Sequence, residues 1–212
     1  MAQLGDRVVD VQRALDFAQD KVKFSAVMGD DLKLDFTRVN AYGHSFGAST
    51  CISAAMKDNR INGLVIAMDP CLYILSDEET YTLRKLNYSK KTLIILAEDY
   101  YESHYPSFEN DYRINIFREN VEPGSVISYR FMGSNHGSFS EMALIAEGQF
   151  RMFNVLRNNP DTKLFLELNI SMIQTLIRNP NISSEKELLD TLIKQNPKYT
   201  SEILRVVRPL NH

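Results

Sequence analysis

Apolar residues at Val8, Val11, Leu15, Ala18 and Val22 recur in steps of three and four, with Asp10, Arg13 and Asp20 between them. That spacing puts all five on one face of an amphipathic helix, so the chain is expected to open on one. A polar connection through Gly29-Asp30-Asp31 follows, and the short apolar stretch from Val39 to Tyr42 predicts a strand. Next comes a helix in which Ala48, Cys51, Ile52 and Ala55 share a face. Three further apolar runs each end on polar residues. Leu64-Val-Ile-Ala-Met68 ends in Asp69, Thr92-Leu-Ile-Ile-Leu-Ala97 in Glu98-Asp99, and Val126-Ile-Ser-Tyr-Arg-Phe131 in Gly133-Ser134-Asn135-His136. Short apolar strands separated by helical segments predict an α/β fold, a mainly parallel sheet with helices on both faces. The polar groups fall at the carboxyl ends of strands, where open α/β sheets hold their sites.

From about residue 139 the pattern is helical. Met142, Ile145, Ala146, Phe153 and Leu156 form one stripe, and Leu164, Leu168, Met172 and Leu176 another. Ser184 with Glu187 reads as a capping box before Leu188, Leu189, Leu192 and Ile193. These positions read as core or lid packing. With no internal repeat or low-complexity tract, residues 1–212 read as one domain.

Composition narrows the function classes. The 212 residues carry 44% hydrophobic residues and a formal charge of −3, the range of an ordinary globular protein with one sizeable core. The 24 Lys and Arg are scattered, so no basic stripe is available for nucleic acid. Cys51 and Cys71 lack C-x-x-C or Cys/His ligand spacing, which argues against a disulfide framework or structural zinc and reads as two buried apolar residues. No apolar run reaches bilayer length and the first residues lack the features of a secretion signal, so the chain as written is expected to be cytosolic. Asn87, Asn169 and Asn181 head glycosylation sequons, but such triplets are frequent by chance and Asn169 falls in a helical stretch.

Chemistry concentrates at Gly43-His44-Ser45-Phe46-Gly47, a G-x-S-x-G between a predicted strand and a predicted helix. On such an elbow the serine sits on a strained turn that lifts its hydroxyl clear of the sheet, and the flanking glycines avoid a collision between strand and helix. The same five letters also arise as ordinary turns, so partners are required. Acyl transfer by serine needs a base within hydrogen-bond reach and an acid to hold that base in the correct tautomer. Ser45, Asp69 and His136 follow the order serine, acid, histidine of α/β-hydrolases, each just past a different predicted strand. Of the four histidines, His44 lies within the elbow, His104 lies before the last strand and His212 is terminal. The small neighbours of His136 suit a flexible base-bearing loop. Spacing leaves the acid open, because placement one strand later nominates Glu98 or Asp99. Glu98, Asp99, Glu102 and His104 also permit a metal site, weighed against a charged loop beside Tyr100, Tyr101 and Tyr105.

Gly-His-Ser-Phe-Gly, the run Ile66-Ala-Met-Asp69-Pro70 with Asp77-Glu78, and Gly133-Ser-Asn-His136 with Phe139 resemble the platelet-activating factor acetylhydrolase family of serine esterases. The resemblance extends from the first helix to about Leu176. It implies a calcium-independent α/β-hydrolase that cleaves short or oxidised sn-2 acyl chains from glycerophospholipids, with Ser45 as nucleophile, His136 as base, Asp69 as the acid and the Phe46 amide as oxyanion donor. It implies no metal or organic cofactor, a phospholipid substrate met at a membrane or lipoprotein surface, and no nucleic-acid partner. Oligomeric state is not readable.

The same resemblance sets up a departure. Family members carry strands ahead of the helix with which this chain begins, including the loop that supplies a second oxyanion donor. The chain therefore reads as the carboxyl-terminal portion, with an unpaired apolar edge on the nucleophile strand and secretion possible if a preceding segment carries a signal. Losing one oxyanion donor costs about 2.7–4 kcal/mol of transition-state stabilisation. The alternatives are a catalytically impaired, hydrolase-like interaction module and a small-ester hydrolase. Ala48 stands where relatives commonly have glycine, and alanine is expected to fit. Leu72, Tyr73 and the 100–108 segment are candidates for the acyl pocket.

Overall fold

The computed structural model describes residues 2–72, 88–98, 107–139 and 162–210. The Asp77-Glu78 pair, Asn87, Asp99, Glu102, His104 and the 142–156 stripe lie outside them, as do Tyr73 and the side chains of the 100–108 segment. The described strands are β1 Ala41–His44, β2 Val65–Met68, β3 Thr92–Ala97, β4 Val126–Phe131 and β5 Val207–Pro209, in the sheet order β1-β2-β3-β4-β5. The first four run parallel. Ala41 lies opposite Val65, Val65 opposite Thr92 and Thr92 opposite Val126, so the strands start level with one another. His44 and Met68 are partners across the first pair, which sets the two residues that follow, Ser45 and Asp69, side by side.

Every residue of β2 and β3 is buried, which is why these strands read as unbroken apolar runs instead of alternating ones. The period of two survives in the choice of face. Ile66, Met68, Leu93 and Ile95 join one core, and Val65, Ala67, Ile94 and Leu96 the other. Seven α-helices are described: α1 Ala2–Gln19, α2 Lys21–Met28, α3 Phe46–Lys57, α4 Ser107–Glu119, α5 Thr162–Arg178, α6 Glu185–Gln195 and α7 Thr200–Val206. Residues of α1, α3 and α4 complete the second core, and residues of α5, α6 and α7 the first. The result is an α/β-hydrolase-like fold with helices on both faces of a mainly parallel sheet.

Three expectations need correction. The opening helix does not continue to Val22: it ends at Gln19, and Asp20 caps a new helix by accepting from the Lys23 amide at 3.2 Å. Val22 is left 81% exposed while Val8 is buried. The carboxyl-terminal part is not helical throughout, because Val207–Pro209 pairs antiparallel with Tyr129, Arg130 and Phe131. Finally, β1 lies at one edge of the described sheet but is short and half-polar, and Tyr42 is its one large exposed apolar side chain. The capping box holds at its first half: the Glu187 amide donates to Ser184 Oγ at 3.2 Å, while the Glu187 carboxylate accepts from the Ser183 amide at 3.0 Å.

Candidate active site

Ser45 occupies the turn between β1 and α3 at φ 59°, ψ −127°. Such a conformation costs a non-glycine residue roughly 1–3 kcal/mol, so the surroundings must hold it. They do so on three sides. The Ser45 amide donates to the Met68 carbonyl at 2.9 Å, extending the parallel ladder one residue past the strand. The Ser45 carbonyl accepts from the Ala48 amide at 3.0 Å, which starts α3. A Cβ on Gly43 would stand 2.4 Å from the Gly47 carbonyl group, so the strand and the helix start are in backbone contact there. Only the first glycine of the pair is required by that contact, because a Cβ on Gly47 would meet nothing within 4 Å. Ala48 is fully buried and packs in the core.

Asp69 follows β2 as Ser45 follows β1, and it is the other described non-glycine residue at positive φ, at 44°. Its amide donates to the Ile95 carbonyl at 2.6 Å, and its Oδ1 accepts from the Ala97 amide at 3.0 Å. The side chain is fully buried with Oδ2 aimed at His136. His136 begins the 3₁₀ turn His136–Phe139 after β4. Its loop is braced instead of flexible. Gly133 at φ 81° donates to Glu98 Oε2 at 2.6 Å, Ser134 Oγ to the Phe131 carbonyl at 2.7 Å, and the Asn135 amide to Ser138 Oγ at 3.0 Å.

These three side chains form one line. His136 Nδ1 is 2.6 Å from Asp69 Oδ2, and His136 Nε2 is 2.9 Å from Ser45 Oγ. A carboxylate accepts only, so Nδ1 carries the proton and the Nε2 lone pair faces the serine hydroxyl. The arrangement can take a proton from Ser45 and return it to a leaving group. Phe46 is the first residue of α3, where amides have no carbonyl within the helix, and its N–H is adjacent to the nucleophile. Its ring packs on α1, with the Arg7 guanidinium 4.7 Å away.

Glu98, the alternative acid, spends its carboxylate on the Gly133 amide and so supports the base loop from the neighbouring strand. Asp99, Glu102 and His104 fall outside the described residues, and among the described residues no cluster of His, Cys, Asp and Glu suits a metal ion. Both cysteines are free thiols. Burial pushes the Cys51 thiol up to about 11, so it behaves as an inert packing group. Cys71 is buried, as expected, and its Sγ lies 3.6 Å from Ser45 Oγ. Leu72 is buried in the core. Asn169 is also buried, on α5 against Met68, which closes it to glycosylation in the folded state.

The family described as Platelet-activating factor acetylhydrolase, isoform II, matches residues 3–198. The chain belongs to this family. No curated protein matches it. Membership makes the chain a hydrolase of the lipase and esterase type, a carboxylic ester hydrolase with a lipid substrate. The platelet-activating factor acetylhydrolase match covers the nucleophile turn, the buried carboxylate and the histidine loop together, so all three lie within the family's own extent. Among the described residues no helix is long and apolar enough to cross a membrane.

Sequence order named the serine and the histidine that the fold brings together, and the family resemblance, not spacing, chose Asp69 as the carboxylate behind them. It missed Cys71 and the function of Glu98, because neither contact leaves a trace in local spacing. His44 lies inside the elbow motif, and its ring packs 4.5 Å from that of His136, a contact that local spacing does not show.

Proposed function

We propose that the chain is a serine esterase that hydrolyses short or oxidised sn-2 acyl esters of glycerophospholipids. The observation that carries this reading is the 2.9 Å contact between Ser45 Oγ and His136 Nε2, backed by Asp69. Ser45 Oγ attacks the ester carbonyl as its proton passes to Nε2. Negative charge on the carbonyl oxygen is met by the Phe46 N–H at the positive end of α3. The ester C–O bond then breaks, His136 gives its proton to the departing glyceryl oxygen, and an acyl-serine remains. Water attacks that ester, His136 again takes a proton, and Ser45 leaves as the free hydroxyl. Asp69 keeps Nδ1 protonated and stabilises the imidazolium in both halves. None of these steps uses a metal or an organic cofactor. The substrate is met at a membrane or lipoprotein surface.

Hydrolysis of a phospholipid with a short sn-2 chain, measured for wild type and Ser45→Ala beside a simple acetate ester, tests the proposal. Wild type is expected to cleave the phospholipid, and Ser45→Ala to lose on the order of 10⁶-fold in kcat. Cleavage of the acetate with indifference to the phospholipid would favour a small-ester hydrolase. A folded wild-type protein inert toward both would leave the interaction module as the better reading.

A further inference from the structure

Arg7 lies in the second turn of α1, and its guanidinium carbon stands over the Phe46 ring, 4.7 Å from its centre. Phe46 is the residue whose amide is offered to the oxyanion, so its ring holds a cation beside the nucleophile turn. The packing of α1 fixes this placement. Leu4 and Val8 are buried in one core with Ala48 and Ile52 of α3. At the other end of α1, Asp16 and Gln19 meet Arg60, which follows the end of α3. The two helices therefore start together at the Ser45 end of the sheet and run the same way, and both positive ends lie on the side of the site.

Arg7 is exposed. Among the described residues its guanidinium makes no hydrogen bond and no ion pair, and Asp10, one turn further on, pairs with Arg13 instead at 3.5 Å. A guanidinium resting on an aromatic face is steadied by the ring while its N–H groups stay available to an acceptor in its own plane.

We infer that Arg7 binds the phosphodiester of the glycerophospholipid whose sn-2 ester Ser45 attacks. The inference rests on the serine-esterase reading and names the residue that selects its substrate class. In such a lipid the sn-2 carbonyl and the phosphorus are joined through the ester oxygen, two glycerol carbons and one phosphate oxygen. An anion thus lies a few bonds from the carbonyl under attack. Phe46 spans the corresponding gap in the protein, because its main chain meets the carbonyl oxygen and its ring carries the cation. The planar fork of arginine matches phosphate with two parallel N–H···O bonds. An ester of an uncharged alcohol offers nothing to this group, so Arg7 distinguishes a phospholipid from a neutral ester that fits the same nucleophile.

The test uses two substrates, a short-chain phosphatidylcholine with an sn-2 acetyl group and the diacylglycerol of the same chains, both below the concentrations at which they aggregate. The readout is the ratio of kcat/KM on the phospholipid to that on the diacylglycerol. Arg7→Met keeps an unbranched stem against Phe46 without the charge, and Arg7→Lys keeps the charge without the fork. Both changes fall on an exposed helix face, so wild-type urea midpoints are expected. The ratio should fall about tenfold in Arg7→Met, mainly through KM on the phospholipid, and by less in Arg7→Lys. A wild-type ratio in folded Arg7→Met would overturn the inference and leave the esterase reading intact. That holds even if both substrates slow together, since Arg7 would then be only a packing partner of Phe46. A wild-type protein that cleaves the diacylglycerol and not the phospholipid would overturn the phospholipid reading and the inference together.

Discussion

Gly43 and Gly47 look equivalent in the motif, yet their surroundings are opposite. A methyl on Gly43 would sit 2.4 Å from main-chain atoms of Gly47, and no side-chain adjustment relieves a clash with backbone. Gly47 lies in the first turn of α3 with open space where its Cβ would be. Gly43→Ala is therefore expected to cost at least about 3 kcal/mol, the upper end of overpacking, and to abolish labelling of Ser45. Gly47→Ala should be neutral or stabilise by about 0.5–1 kcal/mol, since alanine is the better helix former. Urea unfolding of the two variants measures both. Equal destabilisation would contradict the contact between strand and helix start. Motif letters made the elbow legible at this scale, but they could not say which glycine the fold needs, nor that Cys71 stands against the nucleophile, because both depend on atoms brought in from elsewhere.

Helix α3 begins at the nucleophile and has to be held at its far end as well. Past Lys57 the chain turns at Asp58, whose carboxylate accepts from Arg60 Nε at 3.0 Å and from Nη2 at 2.6 Å. The same guanidinium donates to Asp16 Oδ1 at 2.6 Å and Gln19 Oε1 at 3.2 Å in the last turns of α1. Lys90 Nζ adds a cation at the end of α3, donating to the Asp58 carbonyl at 2.9 Å and also to that of Ala55. Arg60→Ala should destabilise the protein by about 1.5–3 kcal/mol, as the loss of hydrogen bonds to charged groups does. The pH dependence has a definite sign. Hydrogen bonds from Arg60 hold the Asp58 carboxyl below its ordinary 3.8, so that stabilisation is complete above 3.8 and is lost as the pH falls through the lower folded value. Urea midpoints between pH 6 and pH 3 should therefore converge for wild type and Arg60→Ala, and a constant gap would contradict the pairing. Periodicity found α1 and α3 but overran α1, because Val22 fits the apolar stripe while Asp20, a better cap than helix residue, ends the helix.

At the scale of the molecule, four level parallel strands do what no local feature can. They bring Ser45 within hydrogen-bond reach of a histidine 91 residues later and set a carboxylate from the intervening strand behind it. The sheet, the serine and the histidine were legible, since unbroken apolar runs mark buried parallel strands and the polar residues after them fall at one end of the sheet; the carboxylate was not, because spacing alone admits Asp69, Glu98 or Asp99. Strand β5 was not legible. Three residues carry no period, and Val207–Pro209 becomes a strand only because Tyr129, Arg130 and Phe131 offer an edge. The same region is tied together by Arg118, which pairs with Glu185 at 2.8 Å, and by Tyr129, which donates to the Glu185 carbonyl. Both contacts are tertiary and invisible in spacing.

The central claim is that His136 activates Ser45, and peptide mapping by mass spectrometry after fluorophosphonate treatment tests it most directly. Wild type should carry a single adduct on the peptide containing Ser45, and folded His136→Gln should lose the adduct at the same exposure. An adduct at another residue, or one that persists on Ser45 without His136, would contradict the account.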